Sequence, residues 1–506
     1  MSAKTKKNDL SIKLVEKLYK ANEKKNFNDK KDTKNNLEQD RKFKSMILNH
    51  QYFPLINLLL LELIIILLPK SILLIEPTIE LTLNSTGYQQ ILSYEYRGDK
   101  PSVIYVNKEV QIMKSLKVYA ESIAHKIILE WEKPLTDLTY MFSNVAGITS
   151  VKMNYVSGYG SNLSYMFKDC INLQNFSFVS YNNYSYYIKD TIGMFYNCLS
   201  LTTFSFNKMY MGELSNYNSY NQCFRNMSYM FYNCQSLESI SFSSNIYYVN
   251  DMRRMFYNCI SLKSITLNYF MTYNNNNKYV DLSYMFYNCK ELSSFSLNNN
   301  NFYVKDMNNM LYNCESLKSI NLEYFKCCDQ HHINMSRLFY NCHNLENINN
   351  IFYNFYISDT REMFYNCTSF KSTYYCCCSH CYNTIKFKIN TDYLNDKINM
   401  SRMFYNCYNL NSISISCSNN KIPINDSNLM FYNCTALTSI KLDNFDVSYA
   451  QNMSYMFYNC KSLSSFDISY ITYYSNLIKR EMKGMFQMCQ SLTYLDLSNN
   501  FYTKNV

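Results

Sequence analysis

The nine residues Asn-Met-Ser-Tyr-Met-Phe-Tyr-Asn-Cys stand at 226–234 and return unchanged at 452–460. Aligned on the Met-Phe pair, related copies begin at Met141, Met166, Met194, Met230, Met255, Met285, Met310, Leu338, Met363, Met403, Met430, Met456 and Met485. Thirteen copies, mostly 25 to 30 residues apart, leave few folds open. A unit this short cannot enclose a core of its own. Each must bury its apolar side against its neighbours, so the chain must build a serial array.

In the unit 226–242, NMSYMFYNCQSLESISF, the residues Met227, Met230, Phe231 and Cys234 lie at i, i+3, i+4 and i+7. That spacing predicts one apolar face of a short helix, with Tyr232 turned outward. The second half alternates, Ile240 and Phe242 to one side and Ser239 and Ser241 to the other, as a half-buried strand does. Each unit therefore reads as a short helix, a tight Asn-Cys corner, a short strand and a polar connector such as SSNIYYVND. Stacked units predict an α/β solenoid, with a parallel strand ladder on one face and short helices on the other. The whole chain holds only eight Gly and six Pro. Its turns must be built from Asn and Ser, and Asn tolerates the left-handed backbone that turns require.

The array is expected over 136–506, and three segments precede it. Residues 1–45 form a basic tail expected to be disordered: positions 1–44 carry fourteen Lys or Arg against seven Asp or Glu. That tail accounts for most of the net charge of +10, so the array is close to neutral and offers no broad basic face to nucleic acid. Residues 46–75 hold the apolar run Leu55–Leu68, broken by Asn57 and Glu62. In a helix this core rises about 21 Å against a hydrocarbon thickness of roughly 30 Å, and flanking residues such as Ile47 and Ile75 extend it. The readings are a signal anchor with its N-terminus inside, a signal peptide if translation starts at Met46, or a buried core helix. Residues 76–135 contain TIELTL (78–83), QQILSYEY (89–96), SVIYVN (102–107) and KIILEW (126–131), which read as strands of a small β-rich N-terminal cap that includes Trp131.

MSYMFYNCKSLSSFDISY (453–470) and MFYNCTALTSIKLDNFDVSYAQNMSYMF (430–457) resemble the BspA-like leucine-rich repeats, in particular the surface-protein repeat of mycoplasma-lipoprotein type. The resemblance covers residues 139 to about 498, with Met-Phe, Cys, Leu and a terminal Phe in register. It implies a leucine-rich-repeat solenoid among cell-surface or secreted proteins associated with adhesion, without catalysis. The chain departs from the pattern in using Asn-Cys where Gly-Cys is common, and in long connectors at 167–229 and 364–403.

Twelve of the twenty cysteines, Cys170, Cys198, Cys234, Cys259, Cys289, Cys314, Cys342, Cys367, Cys407, Cys434, Cys460 and Cys489, share one repeat position. They are expected to be small buried hydrophobes, with disulfides between stacked copies as the alternative. KCCDQHH (326–332) and YYCCCSHCY (374–382) bring His331, His332, Cys378, His380 and Cys381 into two adjacent connectors as candidate zinc ligands, against loop cysteines or local disulfides. No cofactor is expected, and no hydrolase, P-loop, zincin or dinucleotide motif is present. The candidate binding face is the strand ladder Ser239, Ser264, Ser294, Ser319, Ser372, Ser412, Ser439 and Ser465. Behind it runs a tyrosine stripe from Tyr196 to Tyr458, either a recognition surface or a structural position copied with the repeat. Eleven N-x-S/T sequons, among them Asn84, Asn162, Asn226, Asn334 and Asn452, are compatible with glycosylation. The expected function is binding by a surface or secreted array to an extracellular or host protein or glycan surface. An intracellular scaffold is the main alternative, and a metal-dependent protein a further one.

Overall fold

The computed structural model describes residues 77–506 except 112–115, 122–125, 155–160, 180–185, 206–208, 211–224, 243–246, 268–269, 272–278, 297–301, 323–324, 327–331, 350–356, 372–383, 388–396, 418–421, 443–444, 468–470, 473–480 and 497–506. The tail 1–45 and the apolar segment 46–75 lie outside the described residues.

The Met-Phe-Tyr-Asn-Cys segment is not a helix, and among the described residues there is none. It is a run of tight turns whose N–H groups alternate between two uses. In the copy at 227–234, Met227, Tyr229, Phe231 and Asn233 donate to the carbonyls of Asp251, Arg253, Met255 and Tyr257 on the next rung, at 2.7–3.1 Å. Met230, Tyr232 and Cys234 instead close turns on Met227, Tyr229 and Phe231 at 3.0–3.3 Å. A helix would use all of these donors internally. A segment of about eight residues, rich in Asn, Ser, Tyr and Phe, is too short and too weak a helix former to nucleate one, whereas the next rung supplies acceptors at every second residue. The backbone turns left-handed at Tyr229 (φ 60°) and Asn233 (φ 60°), and the corresponding pair recurs in most copies. The apolar spacing is satisfied by this other geometry: Met227, Met230, Phe231, Cys234 and Leu237 are all fully buried.

Two strand ladders run along the array instead of one. On the serine side, short strands pair in parallel: Thr203–Ser205 with Ser239–Ser241, Ser264–Thr266 with Ser294–Ser296, Ser319–Asn321 with Asn347–Asn349, Ser412–Cys417 with Ser439–Leu442, and Ser465–Asp467 with Tyr494–Asp496. The longer ladder is in the polar connectors, to which the sequence assigns no strand. Strands such as Tyr247–Asp251, Phe302–Asp306 and Ile422–Asp426 join a twelve-stranded sheet. Most of these strands end in Asp or Asn, whose side chain accepts the N–H two residues on. Examples are Asp251 to Arg253 (3.1 Å), Asp306 to Asn308 (2.8 Å) and Asn334 to Ser336 (2.9 Å). This Asx turn aims the chain into the next turn segment.

Burial, above all else, raises the carboxyl pKa of Asp251, Asp306, Asp359 and Asp426 above the usual range. A carboxyl so raised holds its proton more tightly folded than unfolded, so it weakens the fold as pH rises through the carboxylate range, and the loss is regained in acid. Asp306→Asn keeps the turn, as Asn334 and Asn452 do at the same position. It is expected to raise the melting temperature at neutral pH and to leave it unchanged in acid. A variant less stable at neutral pH would show that charge at this position stabilises the rung.

At the N-terminal end, the strands Glu109–Val110, Val103–Val106, Lys126–Glu130 and Thr78–Leu83 form an antiparallel sheet. It continues through Ile148–Asn154, which pairs in parallel with Asn175–Val179. The change of direction falls where the repeats begin. The stretch 89–96 supplies only the end of a strand at Gly87–Gln90, and Tyr94 within it is exposed. Trp131 is buried with its indole N–H on the Asp99 carbonyl at 2.8 Å. From Ile79 to Met485 the buried apolar side chains form one continuous core.

Candidate functional site

On the serine strands, Ser239, Ser264, Ser294, Ser319, Ser439 and Ser465 are exposed and Ser412 is half-buried, while Ser372 lies outside the described residues. Register places Ser264 opposite Ser294 and Ser412 opposite Ser439, with Ser239 opposite Thr203 and Ser319 opposite Asn347. Two residues further along, Ser241 donates to the Ser205 hydroxyl at 2.9 Å, and the hydroxyls of Thr266 and Ser296 are bonded at 3.1 Å. Exposed ion pairs flank the face: Lys263–Glu238 at 2.8 Å, Lys290–Glu315 at 3.1 Å and Lys371–Glu346 at 3.0 Å. The result is a low polar surface that repeats rung by rung and offers hydroxyls as both donors and acceptors.

The tyrosine stripe differs from its expected orientation. From Tyr196 through Tyr232, Tyr257, Tyr287, Tyr312, Tyr340, Tyr365, Tyr405 and Tyr432 to Tyr458 the rings stack face to face. Centroids are 4.5–4.7 Å apart and planes within 10°. The side chains are half-buried, not turned freely outward. Neighbouring rungs occupy the ring faces, so a ligand can reach only their edges and hydroxyls.

The twelve repeat cysteines are free thiols, and all but Cys489 are buried. Each donates to a carbonyl of the preceding rung, as Cys234 does to Phe195 at 3.1 Å and Cys342 to Leu311 at 3.1 Å. Burial pushes these thiols well above their usual pKa, which removes the reactive thiolate. Thiol labelling of the native chain with peptide mapping is therefore expected to modify Cys489 long before Cys234 or Cys342. Equal rates would mean that the rungs open freely.

Of the zinc candidates, His331, Cys378, His380 and Cys381 lie outside the described residues, whereas His332 is described and half-buried. Among the described residues no group of three or more His, Cys, Asp or Glu is placed to hold a metal ion. The sequons divide by location. Asn162, Asn226, Asn334 and Asn452 are half-buried and accept the N–H of the serine two residues on, at 2.8–3.0 Å, so there the N-x-S pattern is the signature of an Asx turn. Asn84 is exposed.

The turn ladder, paired strands and repeat spacing agree with the sequence comparisons. The model of the BspA type leucine rich repeat region matches in six copies over residues 132–227 and 226–371. A second model, for a Mycoplasma protein of unknown function, matches residues 379–499. Residues 132–371 are a BspA-type leucine-rich-repeat region. No curated protein matches its sequence. Similar solved structures include a leucine-rich repeat protein from Bacteroides ovatus, at 15% identity and TM-score 0.31, covering 80% of this chain and 88% of that one. Another is an internalin from Listeria monocytogenes, at 14% identity and TM-score 0.21, covering 69% of this chain and 87% of that one.

One column in this BspA-type array escaped the sequence reading. Four residues before each corner Asn, a second left-handed position carries Tyr229, Arg254, Tyr284, Arg337, Glu362 and Arg402, among others. Arg254 bonds the Tyr229 hydroxyl at 2.6 Å and lies over the Tyr284 ring at 4.8 Å. Glu362 is held between Arg337 at 2.6 Å and Arg402 at 3.1 Å. Burial opposes ionisation of Glu362, but the two guanidinium hydrogen bonds prevail and lower its pKa. The available signal was the fixed offset of four from Asn. Its varied residue types hid it, because only the backbone angle is shared.

Proposed function

We propose that this BspA-type array is a non-enzymatic recognition protein, displayed on or released from the cell surface, that binds a protein or glycan surface through its serine strand face. The observation that supports this reading is the contrast between faces: buried thiols and stacked phenols are consumed by packing, whereas Ser239, Ser264, Ser294, Ser319, Ser439 and Ser465 remain exposed at the same position of successive units. Weak contacts repeated along one body add through effective concentration, which suits a face that repeats from unit to unit. The external location rests on the basic tail 1–45 followed by the apolar segment 46–75. Among the described residues no helix is long and apolar enough to cross a membrane.

The test removes whole repeats while retaining the 76–135 cap and the last copy, with folding checked by circular dichroism and adhesion measured on protein- and glycan-coated surfaces. Adhesion is expected to fall progressively with each repeat removed. Its complete loss on removal of one connector, with every other deletion silent, would replace the distributed face by a single local site. Protease treatment of intact cells tests the location: repeats that survive while cytosolic markers also survive would point to an intracellular scaffold.

A further inference from the structure

The tyrosine column contains more than stacking requires. Ten successive rungs, from the copy at Met194 to the copy at Met456, place Tyr at this position and none places Phe, although Phe fills the position immediately before it in nine of them. Either ring would stack. The buried phenylalanine column beside it is interrupted at Leu311, between Phe286 and Phe339, whereas the tyrosine column is unbroken. Burial, and after it the neighbouring phenols, raises the pKa of Tyr287 and Tyr340, so their hydroxyls stay protonated. The rings thus form a row of neutral phenols, each within 4.7 Å of the next, half-open to water along one edge.

We propose that this column is a site of oxidative cross-linking, in which neighbouring tyrosines are joined carbon to carbon by a haem-peroxidase-type oxidant and hydrogen peroxide. Each of two adjacent phenols gives up its O–H hydrogen as one electron and one proton. The ring carbons ortho to the two oxygens then bond, and the ring hydrogen displaced at each carbon returns to its own oxygen as the rings regain aromaticity. The two electrons and two protons reduce one hydrogen peroxide to two waters. Stacking favours this course over coupling between molecules, because a radical on one ring already faces a second phenol. The repeat thiols beside the column from Cys198 to Cys460, which would otherwise quench the radicals, are buried and protonated. The products would be covalent staples between rungs, at the half-buried rim beside the phenylalanine column and independent of any ligand on the serine face.

The full chain treated with a haem peroxidase and limiting hydrogen peroxide should develop dityrosine fluorescence at a rate independent of protein concentration. Peptide mapping should place the bonds between column neighbours such as Tyr287 and Tyr312. Tyr88, Tyr94 and Tyr494, at 64%, 60% and 60% exposure, provide the contrast, because accessibility alone would direct the oxidant to them first. Tyr312→Phe preserves the stack and should leave the melt unchanged while removing two of the nine neighbouring pairs, those with Tyr287 and Tyr340. Bonds confined to Tyr88, Tyr94 and Tyr494, bonds formed only between molecules, or a pattern unaffected by Tyr312→Phe would each overturn the proposal.

Discussion

Phe286→Ala is expected to cost about 3 to 5 kcal/mol in urea unfolding of the array. The ring is fully buried, stacks on Phe256 at 5.3 Å and meets Phe295 at 5.2 Å. Its own N–H is fixed to the Met310 carbonyl of the next rung at 2.8 Å, so the backbone cannot collapse into the void that alanine would leave. The adjacent residue is the control. Tyr287 loses stacking with Tyr257 at 4.7 Å and Tyr312 at 4.5 Å when replaced by alanine, but its half-buried site opens to water and leaves no sealed cavity. Stacked aromatic pairs contribute about 0.5 to 1.5 kcal/mol each beyond the area they bury, so Tyr287→Ala should be clearly destabilising yet well short of Phe286→Ala. Equal losses at the two sites would contradict the assignment of Phe to the core and Tyr to the rim.

Asn341→Ala is expected to cost about 2 to 4 kcal/mol, from two separable sources. The residue sits at φ 59°, where a side chain without a local hydrogen bond loses roughly 1 to 2 kcal/mol. Its amide also belongs to a ladder, donating to Asn313 at 2.9 Å and accepting from Asn366 at 3.0 Å, and each such bond contributes about 1 kcal/mol net. Asn341→Gly restores the backbone freedom and leaves the ladder cut. Its unfolding midpoint should therefore fall between wild type and Asn341→Ala. A glycine variant as stable as wild type would reduce the amide ladder from Asn197 to Asn459 to a passenger of the turn. A glycine variant as weak as alanine would make the ladder the whole effect.

The corner Asn shows how far local reasoning reached. A chain with few glycines and an Asn before ten of its twelve repeat cysteines had to place Asn at left-handed corners, and Asn233, Asn341 and Asn433 do so at φ 60°, 59° and 62°. The same reasoning could not anticipate that these amides bond to one another, as Asn433 does to Asn406 at 2.8 Å, because that bond exists only between units far apart in sequence. The strand halves were equally legible: alternation at Ser239–Ser241 and Ser264–Thr266 predicted polar residues outward and isoleucines inward, and Ile265 is buried and Ile240 half-buried. The connector strands were not, since Tyr247–Asp251 and Phe302–Asp306 become a ladder only by pairing with successive rungs.

The sequence by itself determined the repeat, the list of buried side chains and the membership of a serial array, because a unit of 25 to 30 residues has no other way to hide Met, Phe, Cys and Leu. It did not determine the conformation of the segment that carries them. Spacings of three and four residues are met equally by a helix and by linked turns, and the two differ in where each N–H finds its acceptor. Within one unit the helix is the available answer. Once the rungs are stacked, every second N–H meets a carbonyl of the neighbouring copy, as Phe231 meets Met255 at 2.9 Å. The turns then open the segment into a ladder of bonds that only the assembled array contains.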